Sequence, residues 1–469
     1  MSPAYLDFLY SLGEFNIKLG LHTIRTMLSR LGDPHLHPRI IHIAGTNGKG
    51  STLATLERLL LESGYTTGST ISPHLISFNE RYRINGQAVT SERLDHAFRC
   101  VCRECDISLD LSQSGSRDGK LNPTFFEFAL AMAFVLFEDS GVDYILLETG
   151  LGGRLDATNV IEQPMAWVLT RIALDHQEYL GNTIEQITLE KLGILKKSAS
   201  VFVAPQQKEV SRTIQSYCES KGHTAYWCPK DFFMESGASG TFFSFSRSIC
   251  SRSSNSLDWR RIFLSRPGLL GEHQYENIMT ALAVYQYIVT ADKQLNEKTI
   301  IRTIANLKWP GRLQYLGKAG KILLDGAHNA SGMHALLTYL TTQASEKRIL
   351  FALGWMKNKN LLSVFDTFRF KNLIFVPVEI DNKRSEKGAN ISRALINKKW
   401  SVLPSRKTQS LVKNEIDGIL PDHDLLVVAG SLYLVGEFLT AWQNAEMSAL
   451  SKKVKSSLIK PILPKSVLS

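Results

Sequence analysis

The stretch IHIAGTNGKGST, Ile41–Thr52, decides the fold. Its apolar head, Ile40–Ala44, reads as a buried strand, and its glycines read as a turn. Behind it Leu53, Leu56, Leu59 and Leu60 share one helical face, and Gly64 can close that helix. Strand, glycine turn and helix in that order can cradle phosphate. Glycines let backbone N–H groups approach the oxygens, and the helix N-terminus favours an anion. Lys49 can reach β- and γ-phosphates, and Ser51 offers a hydroxyl to phosphate or Mg²⁺. The strict spacing places Ser or Thr directly after the lysine. Here Gly50 stands there, and Ile43 holds the place of the first glycine. The motif is a variant, and a plain glycine turn remains the alternative.

Outward from this stretch, other short apolar runs alternate with helical patterns. They are Tyr144–Leu147, Ala166–Thr170, Val201–Ala204, Ile322–Leu324, Ile349–Leu353, Leu373–Val376 and Leu425–Val428. Near-continuous apolarity predicts strands covered on both faces, hence parallel α/β sheets. Ligands of such sheets gather at the carboxyl ends of strands. Those ends carry Gly45-Thr46-Asn47, Glu148-Thr149-Gly150, Asp325-Gly326 and Gly430-Ser431. Thr124 and Glu127 are spaced as a capping box before the stripe Phe125, Phe128, Met132, Val135 and Leu136. A Ser/Gly-rich stretch, 234–256, predicts an exposed hairpin or loop. Trp309-Pro310-Gly311-Arg312 follows a helical stretch and precedes a strand, which places a hinge at 308–314.

Four further places bear chemistry. ETGLGGRLDATN, Glu148–Asn159, puts a carboxylate at a strand end, where a hard oxygen suits Mg²⁺ beside a triphosphate. Its Arg154 can hold an anion through a fork of donors, or simply pair with a carboxylate. Asp175-His176 follows another strand, and His176 is either a metal ligand or a structural histidine. Thr183 and Gln186 can cap a helix whose Ile184, Ile187, Lys191, Ile194 and Leu195 fall on one face. Lys191 on that apolar stripe is either a lysine at the core's edge or a buried amine of lowered pKa. Such an amine can act as a nucleophile or take up CO₂ as a carbamate. Arg312 and Asp325 in the second half are either phosphate contacts or ordinary loop charges.

Composition sets the limits. The chain has 469 residues with 44% hydrophobic and 21% charged, which excludes a mainly disordered protein. Lys and Arg exceed Asp and Glu by 54 − 44 = 10, a balance that suits polyanionic small molecules, nucleic acid or lipid without choosing among them. The run Phe128–Phe137 is too short to span a bilayer. The N-terminus shows no signal-peptide pattern. Six cysteines in such a length make no disulfide framework, and Cys102–Cys105 has no second metal-spaced pair. A reducing cytoplasm is the simplest setting. Lys452, Lys453 and Lys455 lack interleaved aromatics and predict a solvated tail rather than a nucleic-acid arm.

Taken together these motifs resemble the folylpolyglutamate synthase/dihydrofolate synthase family of the Mur ligase superfamily. The likeness runs from about Tyr5 to Phe438. Besides the stretches quoted, it is carried by ISPHL (Ile71–Leu75), FFE (Phe125–Glu127), ALDH (Ala173–His176), EKLGI (Glu190–Ile194), GEHQYEN (Gly271–Asn277), LDGAHN (Leu324–Asn329) and GSLYLVGE (Gly430–Glu437). It departs from the family at Leu192, Ala330, Asn358, Asn360 and Lys18.

The resemblance implies an α/β protein. A P-loop Mur-ligase-type N-terminal domain with a parallel-rich sheet would span 1–308. A smaller Rossmann-like domain would span 309–447, followed by a disordered basic tail, 448–469. It implies an ADP-forming ligation of L-glutamate to a folate or dihydropteroate. Alternatives are a Mur-type ligase acting on another precursor, or a nucleotide-binding protein that has lost ligase activity. Thr46, Asn47, Gly48, Lys49, Gly50, Ser51, Asn277, Arg312 and Asp325 would bind ATP. Ser72, Glu148 and His176 would hold Mg²⁺, and Lys191 would be carbamylated. Lys49, Lys191, His176, Glu148 and Arg312 would be catalytic. The pterin-bearing substrate would lie near Ile17, Lys18, Leu19, Thr124, Phe125, Phe126, Glu127 and Arg154. Glutamate would meet His328 and Ser431. The expected enzyme is a cytoplasmic monomer with small-molecule partners, and neither nucleic acid nor membrane among them.

Overall fold

The computed structural model describes residues 4–13, 20–108, 121–196, 200–237, 239–250, 261–317, 320–357, 359, 361–368 and 370–458. The chain divides into two compact units, Met1–Pro310 and Gly311–Ser469.

The first unit is built on an eight-stranded sheet. Its strands are β1 (Ile40–Ala44), β2 (Thr67–Thr70), β3 (Tyr82–Ile84), β4 (Gln87–Ala88), β5 (Tyr144–Glu148), β6 (Ala166–Leu169), β7 (Ser200–Val203) and β8 (Thr224–Trp227). They lie in the order β4-β3-β2-β5-β1-β6-β7-β8. From β2 to β8 every pairing is parallel, and β3 and β4 add an antiparallel edge.

Side-chain alternation divides the strands between the two faces of the sheet. Ile40, Ile145 and Leu147 pack with helix Phe125–Asp139 on one face. Ile41, Ile43, Tyr144, Leu146, Ala166 and Val168 pack with helices Lys49–Glu62 and Glu272–Ile288 on the other. Helix Phe125–Asp139 starts at the expected capping box of Thr124 and Glu127. A three-stranded antiparallel sheet joins the second core: β9 (Phe232–Gly237), β10 (Gly240–Phe245) and β11 (Arg261–Leu264). The Ser/Gly-rich stretch does form a hairpin, but Phe243 and Phe245 are buried in that core rather than exposed. Residues 251–256 of the stretch lie outside the described residues.

The second unit has its own sheet, with strands β12 (Gln314–Leu316), β13 (Ile322–Leu324), β14 (Arg348–Leu353), β15 (Asn372–Glu379), β16 (Ser401–Val402), β17 (Arg406–Lys407) and β18 (Leu425–Ala429). The order is β12-β13-β18-β14-β15-β16, with β17 also on β15, and only β12 is antiparallel. The last helix, Leu432–Leu458, continues into the segment expected to be a disordered tail from 448, and 459–469 lie outside the described residues. No helix among the described residues is long and apolar enough to cross a membrane. Cys100, Cys102, Cys105, Cys218 and Cys228 are free thiols.

Candidate active site

Parallel pairing sends the carboxyl ends of β2, β5, β1 and β6 to one edge of the first sheet, in that spatial order. Neighbouring strands lie about 4.8 Å apart, so the segments that follow them converge. Ser72 follows β2, Glu148 ends β5, Gly45–Ser51 follows β1, and Asp175 and His176 come after β6.

Two close approaches require glycine in the 45–51 loop. A Cβ on Gly45 (φ 150°) would collide with Thr170, and one on Gly48 (φ 92°) with the Asn277 amide. Asn277, on helix Glu272–Ile288, therefore lies directly over the turn, where its Nδ2 donates to Gln274 Oε1 at 3.0 Å. The amides of Thr46 and Asn47 donate to the Arg171 carbonyl at 2.9 and 3.1 Å. Thr46 Oγ1 donates to the Ala173 carbonyl and accepts from the Ala173 amide, both at 3.0 Å. These bonds lock the loop to the segment after β6. The phosphate-facing capacity thus shifts to the first turn of helix Lys49–Glu62. That helix has Gly48 as its N-cap with no side-chain cap, and its first amides have no partner within the helix.

Lys49 folds back onto its own loop. Its Nζ donates to the carbonyls of Gly45 and Thr46, each at 3.2 Å, and lies 3.8 Å from Glu148 Oε1. Lys191 enters from helix Ile184–Leu192 and is only 5% exposed. Its Nζ donates to the same Gly45 carbonyl at 3.0 Å. Burial, then the nearby Lys49 charge, pushes Lys191 down to about 7, against the opposing carboxylates of Asp175 and Asp156. Of the two readings the helical stripe left open, the structure has the buried amine rather than a lysine at the core's edge.

Asp156 organises the glycine-rich segment after β5. Its Oδ2 accepts from the Leu151 amide at 2.8 Å, and its Oδ1 from Thr158 N and Oγ1 at 3.0 and 2.5 Å. Burial raises its pKa against these bonds. Gly153 lies against helix Ile184–Leu192, where a Cβ would come within 2.7 Å of the carbonyls of Glu190 and Lys191. Gly153 is therefore what lets this segment rest on the Lys191 helix. Beneath it, buried His42 on β1 touches Thr158 Oγ1 at 2.8 Å and Thr149 Oγ1 at 3.2 Å, and burial pushes it down to about 3.

Glu148 is buried, and its Oε2 accepts from the Ser72 amide at 3.2 Å, which brings residue 72 to the carboxylate. His176 is in the left-handed region (φ 50°). Its amide donates to Asp175 Oδ1 at 2.8 Å, and its Nε2 lies 4.0 Å from Asp175 Oδ2. Among the described residues no three His, Cys, Asp or Glu side chains converge on one metal point. A carboxylate and a hydroxyl, completed by water and phosphate oxygens, suit Mg²⁺ rather than a full protein cage. Asp175, adjacent to His176 in the sequence, was not singled out as a site residue.

The substrate candidates separate. Phe126 lies against Gly150, where a Cβ would come within 2.8 Å of the ring. Thr124 and Glu127 are spent on each other: Thr124 N and Oγ1 donate to Glu127 Oε2 at 2.8 and 2.9 Å. Arg154 pairs with Glu190 at 2.9 Å while its side chain stays 56% exposed. Ile17, Lys18 and Leu19 lie outside the described residues, as do Asn358 and Asn360. Beside Phe125 the structure places a pair that the sequence reading missed. Arg81 Nε donates to His74 Nδ1 at 2.9 Å, and its guanidinium stands 5.1 Å from the Phe125 ring centre and 5.7 Å from Phe78. Burial and Arg81 push His74 down to about 3, which keeps it neutral.

In the second unit, β13, β18 and β14 are neighbours, so Asp325, Ser431 and Gly354 share one sheet edge. Asp325 Oδ2 accepts from the Leu313 amide and Oδ1 from the Ala327 amide, both at 2.9 Å. Arg312 crosses Gly326, where a Cβ would collide with its guanidinium. His328 Nδ1 is 2.9 Å from the Gly326 carbonyl, and Ser431 is buried with its Oγ accepting from the Tyr433 amide at 3.2 Å.

Residues 111–285 match the Mur ligase middle domain, and residues 311–432 match the Mur ligase, glutamate ligase domain. The dihydrofolate synthase/folylpolyglutamate synthase of Bacillus subtilis is 30% identical over 451 residues, covering 93% of this chain and 99% of the relative. The folylpolyglutamate synthase of Lacticaseibacillus casei is 30% identical over 426 residues, 89% of this chain and 93% of the relative. The crystal structure of the bifunctional folylpolyglutamate synthase/dihydrofolate synthase of Yersinia pestis, complexed with AMPPNP and Mn ion, matches with a TM-score of 0.76. It is 26% identical and covers 94% of this chain and 98% of that one.

Proposed function

Because the chain belongs to the dihydrofolate synthase/folylpolyglutamate synthase family of the Mur ligases, we propose that it is an ADP-forming ligase that joins L-glutamate to the terminal carboxylate of a folate, and to dihydropteroate. The observation that carries this reading is the convergence of Lys49, Glu148, the Ser72 amide and Lys191 around the Gly45 turn, with His176 following the neighbouring strand β6.

ATP phosphates would seat on the amides of Gly48–Ser51, with Asn277 above the loop. The acceptor's carboxylate attacks the γ-phosphorus, the bond to the β-phosphate bridge oxygen breaks, and ADP and an acyl phosphate result. Charge growing on the transferred group is met by Lys49 and by the helix amides. Glu148, Ser72 and His176 are the residues that would hold Mg²⁺, which when bound neutralises phosphate charge. The amine of glutamate then attacks the acyl carbonyl. The tetrahedral intermediate collapses with loss of phosphate, the amine gives up its proton, and an amide remains.

Lys191, near neutrality, is suited to take up CO₂ as a carbamate that would oppose the Lys49 charge. Phe125, Phe126 and Arg154, with Thr124 and Glu127 shaping the turn, would border the pterin-bearing substrate. Roles in the second unit rest on the family alone: Arg312 and Asp325 toward ATP, His328 and Ser431 toward glutamate. The same reading makes the protein a cytoplasmic monomer with only small-molecule partners.

Mass spectrometry of the reaction of ATP, glutamate and either dihydropteroate or tetrahydrofolate tests the proposal. The expected product is the acceptor extended by one glutamyl residue, with one ADP per bond. An unextended acceptor under conditions where the protein binds ATP would contradict it.

A further inference from the structure

Gly50 breaks the strict phosphate-loop spacing, and its surroundings show what takes the place of a side chain. A Cβ at this position would lie 3.1 Å from Trp309 Nε1 and 3.6 Å from Cε2 and Cζ2 of the same indole. The ring of Trp309 therefore rests edge-on against the first turn of helix Lys49–Glu62. Arg83 on β3 stands over the same ring, its guanidinium carbon 5.2 Å from the ring centre. Arg83 is itself held. Its Nε donates to Glu57 Oε2 at 3.2 Å, and Nη2 donates to the Gly86 carbonyl. Glu57 is buried and accepts a second bond from Ser69 Oγ at 2.6 Å. Glu57 lies seven residues after Gly50, two turns along the same helix face. Helix, arginine and ring thus form a closed bracket around the turn whose amides lack a side-chain cap.

We propose that Trp309 is a positioning residue for the nucleotide: packed against Gly50 and Arg83, its ring holds the first turn of helix Lys49–Glu62 in the geometry that presents the amides of Gly48–Ser51 to phosphate, and glycine at position 50 is what admits the ring. This rests on the reading of the 45–51 loop as the ATP site. The loop is pinned on its other side by Thr46 to Ala173 and by the Arg171 carbonyl. Trp309 supplies the restraint that a side-chain cap would otherwise supply at the helix start.

The test compares the full-length wild type with Trp309→Ala, Trp309→Phe, Gly50→Ala and the Gly50→Ala/Trp309→Phe double variant. Calorimetry gives the Kd for ATP, steady-state assays give KM for glutamate, and thermal melting without nucleotide reports on folding. Trp309→Ala is expected to weaken ATP about tenfold, short of the hundredfold loss from a misplacement of about 1 Å. The planar ring of Trp309→Phe keeps affinity within about threefold, and KM for glutamate stays near the wild-type value in both.

Gly50→Ala raises helix propensity, so a purely local effect would stabilise the protein. It is expected instead to weaken ATP about tenfold, and most of that loss should disappear in the Trp309→Phe background, whose shorter ring clears the methyl group. Wild-type affinity in a folded Trp309→Ala variant would overturn the proposal. So would a Gly50→Ala loss of equal size in both backgrounds, because the methyl group would then act on the nucleotide directly. A folded wild type that binds no ATP would overturn the reading of the loop, and this inference with it.

Discussion

Lys191 and Lys49 share one acceptor: both ammonium groups donate to the Gly45 carbonyl, at 3.0 and 3.2 Å. Two like charges on one oxygen in a buried setting are costly, and the more buried lysine gives way. The Lys191 amine is pushed down to about 7 by burial and then by Lys49. A neutral amine attacks CO₂, loses a proton and becomes a carbamate, which turns a repulsive pair into an attractive one.

Lys191→Ala should therefore abolish most turnover, by at least about a hundredfold, as expected when a charged group that organises the phosphate site is lost. The melting temperature should not fall, since a buried charge is removed with the side chain. In ¹³C-bicarbonate the wild type should show a carbamate carbonyl signal by NMR that Lys191→Ala lacks. Turnover near wild type would remove Lys191 from the mechanism.

The same group makes stability depend on pH in CO₂-free buffer. Its folded pKa, about 7, lies below the ordinary 10.5, so between those values the unfolded chain binds the extra proton. Stability should rise with pH across that window, with a contribution from this group of up to about 1.4 kcal/mol per pH unit. Lys191→Met should flatten the slope by that amount. Urea denaturation of both proteins at several pH values gives the difference.

Asp156→Asn replaces an acceptor-only group with one that offers an amide to the backbone N–H groups of Leu151 or Thr158. The expected cost is about 1–3 kcal/mol of stability, the penalty for a buried donor without an acceptor. Turnover should fall as well, because this segment lies on the helix that carries Lys191. Chemical denaturation alongside a rate assay separates the two effects.

Arg154→Ala distinguishes a surface ion pair from a substrate contact. The pair with Glu190 is largely exposed and is worth at most about 1 kcal/mol of stability. A contact with an anionic substrate is worth more, about 1.5–3 kcal/mol, which appears as a KM for the folate raised roughly tenfold or more. Unchanged KM together with unchanged melting would reduce Arg154 to a solvated charge.

Much of this architecture was legible because a parallel strand covered on both faces is apolar at nearly every position. Ile40–Ala44, Tyr144–Leu147 and Leu425–Val428 announced themselves in that way, and their ends located the loops. β2 did not: Thr67-Gly68-Ser69-Thr70 has no apolar side chain, and it enters the sheet because Gly68 leaves room for Phe137. Lys191 was legible as a cation on an apolar stripe. Its neighbours were not, since Asp156, Asp175 and Lys49 reach it from three separate segments of the chain. The Arg81–His74 pair stayed hidden because its meaning depends on Phe125, which comes from a distant helix. The turning of the Thr46 and Asn47 amides toward Arg171 could not be read either, for no periodicity reports where a loop amide points.

The most direct test of the central claim is ADP release in MgATP, with and without glutamate, and with dihydropteroate, tetrahydrofolate or no acceptor. The account predicts release that requires glutamate and an acceptor together, with both acceptors active. Release independent of either, or none from folded protein that binds ATP, would contradict a folate–glutamate ligase.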